Sequence, residues 1–431
     1  MPRSNGSMNK LQPEDQPVHD WYRFVLSFPP HLVKNYIEKF GLQTHQTLLD
    51  PFCGTGTTLV EAKLLGIPSM GIEANPMAHF ASEVKLNWEV SPEGLLHHAG
   101  RIAEQAMAKM ESEGIEDEPF FQNNSNKKVS LRVLDPDKSK LLLKDSISPL
   151  PLHKTLILIE TLQKYRAEQF FSHELLALAK ALVFSISNLR FGPEVGIGKP
   201  KTDAPVVGAW LMEIRKMAND LRLLQGRKNV KTKVFLSDAR QLRQLLPPKS
   251  VDAVITSPPY PNEKDYTRTT RLESVLLGFI NNRAELQALK KRLVRSNTRT
   301  VYKNDEDDQW VAQHDEIQRI AATIEERRIE LGKTSGFERL YAKVTKLYFG
   351  GMSRHLAELR EKLKPGAQLA YVVGDQASYL RVMIRTGQLL ADIAQSLGYE
   401  VVDIDLFRTR LATATKAQLR EEVVVLRWMG K

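Results

Sequence analysis

Apolar residues recur along this chain in two periods. Behind Pro29 and Pro30, the residues Leu32, Val33, Tyr36, Ile37 and Phe40 fall at helical spacing. The stretch therefore predicts a proline-opened helix that Gly41 ends. Residues 47–50 read as a short strand, 51–58 as a glycine-bearing turn, and Leu59, Val60, Ala62 and Leu65 as the apolar side of a second helix ending at Gly66. A strand over 69–72 ends in Glu73, and Asn75-Pro76 opens a helix to about Val84. From Pro92 to about Gly226 the strand period vanishes, and helices are predicted over 96–110 and within 155–189. Strands return at 233–238, 253–256, 369–373, 401–407 and 422–427, with helices over 337–363 and 385–397 between the later ones. Alternating strands and helices predict an α/β fold, a doubly wound and mostly parallel sheet closed by an antiparallel hairpin and interrupted by two largely helical insertions.

The expected organisation is a disordered lead-in (1–20), a catalytic core in three parts (21–91, 231–260 and 337–431), a helical insertion (92–230) and a charged insertion (261–336). The lead-in is polar, carries Pro2, Pro13 and Pro17, and lacks the apolar core of a signal peptide. No apolar run approaches the roughly 18–20 residues of a membrane span, so a cytoplasmic location without membrane contact is expected. One cysteine, Cys53, excludes internal disulfides and cysteine-rich zinc sites. His97 and His98 are adjacent and would point apart on a helix, so no metal is expected. A formal charge of +10 suits a polyanionic partner such as nucleic acid.

Candidate chemistry gathers at the predicted strand ends. Glycines in Pro51-Phe52-Cys53-Gly54-Thr55-Gly56-Thr57-Thr58 let backbone approach a ligand, and the helix behind them offers free N–H groups. The motif lacks the third glycine of a dinucleotide fingerprint and the Gly-Lys-Ser/Thr of a P-loop. Glu73 is placed to accept both hydroxyls of a ribose, and Asp238 to accept a hydrogen bond from an exocyclic amine. After the 253–256 strand comes Ser257-Pro258-Pro259-Tyr260, where fixed proline φ angles make a stiff extended turn. Its hydroxyl, carbonyls and ring suit a flat heterocycle bearing an amino group. Loop 188–201 carries Arg190, Lys199 and Lys201, which fit either phosphate contact or a simple linker. Between 283 and 303, seven basic residues, among them Lys290, Lys291, Arg292 and Arg295, face one acid, Glu285. They read equally as a solvated face or a phosphate-tracking segment. The acids of 305–308 are expected to open a helix reaching Leu331.

Asp50-Pro-Phe-Cys-Gly-Thr-Gly-Thr57 resembles the cofactor motif of S-adenosylmethionine-dependent DNA amino-methyltransferases, and Ser257-Pro-Pro-Tyr260 resembles their catalytic motif. Pro29-Pro30-His31-Leu32-Val33 and the 363–375 stretch resemble flanking parts of the same core. The resemblance implies a Rossmann-like class I methyltransferase fold and S-adenosylmethionine as cofactor. Asp50, Pro51, Phe52, Gly54, Gly56 and Thr57 would line its site, Glu73 would hold the ribose and Asp238 would face the adenine. Double-stranded DNA would be the partner, which makes the protein nucleoid-associated, and the class admits a cognate restriction endonuclease. A flipped base would donate its amine to Ser257 and the Pro258 carbonyl while stacking on Tyr260. Serine at the head of the motif favours cytosine N4 over adenine N6, and a base amine in RNA is a further alternative. Because 238 and 257 lie close together, recognition would fall to the two insertions.

Overall fold

The computed structural model describes residues 11–23, 27–117, 130–192, 195–227, 230–262, 264–411 and 418–430. Its strands are β1 (Leu48–Asp50), β2 (Ser69–Glu73), β3 (Leu189–Phe191), β4 (Val195–Ile197), β5 (Thr232–Leu236), β6 (Val251–Thr256), β7 (Leu363–Gly374), β8 (Tyr399–Leu411) and β9 (Gln418–Trp428). Seven of them form one sheet in the order β5-β2-β1-β6-β7-β9-β8. Every pairing from β5 to β7 is parallel, and β9 runs antiparallel to both β7 and β8. This is the expected Rossmann-like class I methyltransferase sheet with its closing hairpin. The chain leaves β1 toward β2 and β5, then returns to β6 on the other side. The crevice at the carboxyl ends of β1 and β6 is therefore the topological switch point, where open sheets bind ligands.

The central strands β1, β6, β7 and β9 are buried on both faces over most of their length, so their residues alternate between two apolar layers rather than between core and solvent. Leu48, Ala253, Ile255, Ala370 and Val372 meet Leu32, Val33, Tyr36 and Ile37 of the Pro30–Lys39 helix. Leu49, Val254, Leu369, Tyr371 and Val373 face the helices Tyr341–Leu359 and Thr386–Ser396. Each buried aliphatic side chain in these layers contributes about 1.5–3 kcal/mol relative to exposure. Within the helical insertion, Pro92–Ser112, Pro149–Gln163, Phe171–Ala181 and Val206–Leu224 pack around Trp210 as a body on one flank.

Three expectations need correction. The helical insertion contains a small antiparallel hairpin, β3–β4, where a loop was predicted. Turn-length strands of three residues leave no readable period. The lead-in is not disordered over its described part, while residues 1–10 lie outside the described residues. His19 and Trp21 are buried, and Asp220 accepts from Val18 N (2.9 Å) and Trp21 Nε1 (2.7 Å). Those bonds help hold Val18 at φ 66°, a conformation a β-branched residue adopts at a cost. The acids of 305–308 do not open the long helix, which spans Asp315–Glu330. Asp305 instead pairs with Arg295, and Asp307 with Arg240 and Arg354.

Candidate active site

A cavity of about 370 Å³ opens at the switch point, and its wall includes Phe52, Gly54, Glu73, Asp238, Ser257, Tyr260, Arg408 and Glu421. The structure thus brings both predicted motifs to one cavity. Pro51, Thr57, Pro258 and Pro259 line it as well, while Asp50 and Gly56 lie directly beneath its wall.

At the β1 end, Asp50 is fully buried. Its Oδ1 accepts from Phe52 N (3.1 Å) and from Thr256 Oγ1 (2.6 Å), which ties β1 to β6, and among the described residues its Oδ2 makes no hydrogen bond. Burial pushes the Asp50 carboxyl up to about 6. Gly54 and Gly56 lie in the left-handed region, with φ 52° and 84°. A Cβ on Gly56 would come 3.1 Å from Ser82 Oγ, and that hydroxyl donates to Gly54 O (2.8 Å). Buried Lys85 donates to Thr55 O (2.9 Å) from beneath. The loop is therefore held as a fixed cradle whose open side faces the cavity. These residues fit a sulfonium amino acid joined to a nucleoside: a glycine-lined backbone bend, a buried acid with an unpaired oxygen, and a second acid farther along the wall.

That second acid is Glu73. It accepts from Gly54 N (2.9 Å) and Asn75 N (2.7 Å), and a carboxylate keeps further lone pairs for two hydroxyl donors. Burial pushes Glu73 up to about 7. Below that pH the protonated group loses acceptor capacity, so a ribose held by Glu73 would bind there with release of a proton. Affinity for S-adenosylmethionine is expected to be flat above about pH 7.5 and to fall toward tenfold per pH unit well below pH 7. Calorimetric titration between pH 5.5 and 8.5 checks this, and Glu73→Gln should remove most of the slope.

Asp238 lies where expected, but Arg240 engages its carboxylate through backbone N (2.9 Å), Nε (2.9 Å) and Nη2 (2.6 Å). The opposite edge of that guanidinium reaches Asp307. Little acceptor capacity is left for an exocyclic amine, and the expected role shrinks to shaping and charging this wall. Beside it, the buried His355 is neutral, because burial lowers it to about 4. Its Nδ1 sits 2.8 Å from Ala239 O, an acceptor only, so Nδ1 carries the proton and Nε2 accepts from Tyr371 Oη (2.7 Å). The imidazole meets Phe52 edge-on, with centroids 5.0 Å apart. His355 thereby sets both Phe52 and the Ala239 backbone.

At the β6 end, Ser257 Oγ donates to Val372 O (3.2 Å), and Tyr260 N donates to Tyr266 Oη (3.2 Å). The Tyr260 ring lies against Gly374, where an added Cβ would approach Cε2 to 3.0 Å. Cys53 is buried and its thiol is pushed well above its usual range, so it is no nucleophile.

The basic residues divide. Lys290 is paired with Asp265 (2.8 Å), and Arg295 is buried against Asp305 and three backbone carbonyls. Of the four candidate nucleic-acid contacts in 283–303, Lys290 and Arg295 are thus engaged within the fold rather than offered to a phosphate. Lys201 donates to Ser185 O (2.5 Å), a structural use. Arg190, Lys199, Lys291 and Arg292 are exposed, and Arg292 also borders the cavity. Phe28, Tyr266, His355 and the hairpin residues Arg408, Arg410 and Glu421 were not foreseen. The hairpin residues depend on strand register and the other three on how loop and helices pack over the sheet, neither of which periodicity discloses.

Among the described residues no cluster suits a metal ion and no helix is long and apolar enough to cross a membrane. A family model described as DNA methylase matches residues 6–83. The Type II methyltransferase M.BsoBI of Geobacillus stearothermophilus is 26% identical over 440 residues, covering 96% of this chain and 85% of that protein. M.AvaI of Nostoc sp., also a Type II methyltransferase, is 24% identical over 448 residues, covering 96% and 87%. M.MjaII of Methanocaldococcus jannaschii is 36% identical over 69 residues, 16% of this chain and 13% of that protein. The methylase match thus covers the glycine cradle and Glu73, and the likeness to Type II methyltransferases runs along nearly the whole chain, which supports S-adenosylmethionine as the cofactor.

Proposed function

We propose that the protein methylates the exocyclic amine of a base flipped out of duplex DNA, and that this base is cytosine, modified at N4. The observation that carries the reading is the single cavity shared by the glycine cradle at β1 and Ser257–Tyr260 at β6. S-adenosylmethionine supplies an electrophilic methyl on a sulfonium sulfur. Gly54, Gly56 and Asp50 hold the amino-acid end, Glu73 the ribose, and Phe52 and Asp238 form the wall beside the adenine. An amine within a stacked pair cannot reach such a cavity, so the base must leave the helix. Ser257 Oγ and the Pro258 carbonyl accept the amine hydrogens. That draws the nitrogen lone pair out of ring conjugation and aims it at the methyl. Tyr260 stacks on the base. Orientation supplies most of the acceleration, and no covalent intermediate is needed.

Arg190, Lys199, Lys291 and Arg292 are proposed as phosphate contacts, with the two insertions as the recognition surface. The relatives' designation as Type II methyltransferases supports a cognate restriction endonuclease as functional partner. The test is nucleoside mass spectrometry on duplex DNA incubated with protein and S-adenosylmethionine. N4-methylcytosine is the expected product. N6-methyladenine would overturn the choice of base while keeping the mechanism, and label found only in RNA would overturn the DNA reading.

A further inference from the structure

The β8–β9 hairpin contributes charged groups to the target end of the cavity that no motif accounts for. Gly374, Glu421 and Arg408 stand in one row across three strands: Gly374 opposes Glu421 in the β7–β9 ladder, and Arg408 opposes Glu421 in the β8–β9 ladder. Residues in such a row share a face of the sheet. The Tyr260 ring lies on this face, because a Cβ on Gly374 would meet both Tyr260 Cε2 (3.0 Å) and Glu421 Cγ (3.2 Å).

Arg408 reaches this row through a bulge. Leu406 pairs with Glu422 while Arg408 pairs with Glu421, so Phe407 is the extra residue. Without the bulge, Phe407 would oppose Glu421 and Arg408 would fall on the opposite face. Bulges beside active sites re-aim side chains in this way. Once placed, the guanidinium is locked: Nε donates to Glu421 Oε2 (2.5 Å) and Nη2 to Glu421 Oε1 (2.9 Å). Arg408 and Glu421 are both largely buried, and both line the cavity with Ser257 and Tyr260. The bonds to Glu421 use the Nε–Nη2 edge, so among the described residues Nη1 is left as a donor on the cavity wall that Arg408 shares with Tyr260.

We propose that Arg408, oriented by Glu421, is a specificity-determining residue that donates to the ring acceptors of the flipped base. The inference rests on the base-flipping reading above and deepens it. Cytosine carries two neighbouring acceptors, N3 and O2, directly beside its amine. Adenine carries only N1 there, followed by a C–H. Adenine N1 matches cytosine N3, so the discrimination rests on O2: a fixed donor next to Ser257 and Tyr260 that spans N3 and O2 favours cytosine, independently of the serine that heads the catalytic motif. A site built to hydrogen-bond an acceptor rejects a base lacking it, because its own donor is then left unpaired.

The test uses the full-length protein and duplexes whose methylated position has first been mapped. The target is either cytosine or 3-deazacytosine, which keeps the amine and O2 but replaces N3 by C–H. Wild-type protein is compared with Arg408→Lys, which keeps a cation for Glu421 but loses the planar fork. On cytosine, Arg408→Lys should lower kcat/KM on the order of 10- to 100-fold with S-adenosylmethionine affinity unchanged. Wild type should lose a similar factor on 3-deazacytosine, and the variant should lose little more on that duplex. Two losses that simply multiply, or a variant as active as wild type, would overturn the proposal. If the variant fails to bind S-adenosylmethionine, the wild-type comparison decides alone: equal rates on the two bases would refute Arg408 as a reader. N6-methyladenine on the natural duplex would instead refute the cytosine reading itself, and the assigned preference with it.

Discussion

Replacing Tyr260 by alanine is expected to reduce methyl transfer at least 10²-fold while leaving S-adenosylmethionine binding nearly unchanged. Stacking of a base on an aromatic ring is worth about 1–3 kcal/mol, and an unstacked base also loses its alignment on Ser257. The effect should therefore fall on kcat as well as on KM for DNA. Tyr260 stands at the β6 end of the cavity, with its ring against Gly374, and takes no part in the hydrogen bonds that hold the glycine cradle. Its phenol is pushed above the usual range by burial and by the nearby Glu421 carboxylate, so it is neutral at any working pH. Tyr260→Phe should accordingly keep most of the activity. Single-turnover methylation and calorimetric cofactor titration on the two variants separate the roles. A fully active Tyr260→Ala protein would remove the stacking role, and a variant that lost cofactor binding would show the ring to be structural. Gly374→Ala offers a milder form of the same test, because its methyl group would displace the ring without removing it.

The two ends of this site differed in how plainly the sequence announced them. Gly54, Gly56, Glu73 and Ser257–Tyr260 sit at strand termini, where a short apolar run stops and a turn residue or acid follows, so local pattern alone locates them. Arg408 and Glu421 lie inside strands of a hairpin, and their facing depends on a one-residue bulge at Phe407. A period of two cannot disclose that bulge, because one inserted residue inverts every later side chain. Lys290 and Arg295 were misjudged for a related reason. Charge density along the chain is visible, but the partners Asp265 and Asp305 become neighbours only through the fold. The lead-in taught the opposite lesson. A polar, proline-bearing stretch reads as disorder, yet Asp15, His19 and Trp21 find Lys34, Glu61 and Asp220 across the tertiary structure.

The largest effect on stability is expected from a residue far from any motif, Gly350→Ala. Gly350 lies inside the Tyr341–Leu359 helix, where glycine is ordinarily unfavourable by about 1 kcal/mol. A Cβ there would come 1.8 Å from Asp307 O and 2.5 Å from its carbonyl carbon. Both are backbone atoms, so no side-chain rotation can relieve the clash. The bare helix surface at 350 lets the Asp307–Val311 turn approach closely enough for Asp307 to reach Arg240, which in turn grips Asp238 at the cavity wall. Moving that turn outward would strip the buried Arg240 of one carboxylate and loosen the cavity wall at Asp238. Gly350→Ala should therefore lose about 3 kcal/mol of stability and weaken S-adenosylmethionine binding, despite lying outside the cavity lining. The same substitution at Gly100, within the Pro92–Ser112 helix, meets nothing within 4 Å and should be neutral or stabilise by up to about 1 kcal/mol. Urea unfolding and cofactor titration on the pair separate steric packing from helix propensity. Equal responses at the two positions would mean that close approach at Gly350 does not couple the Asp307 turn to the cofactor site.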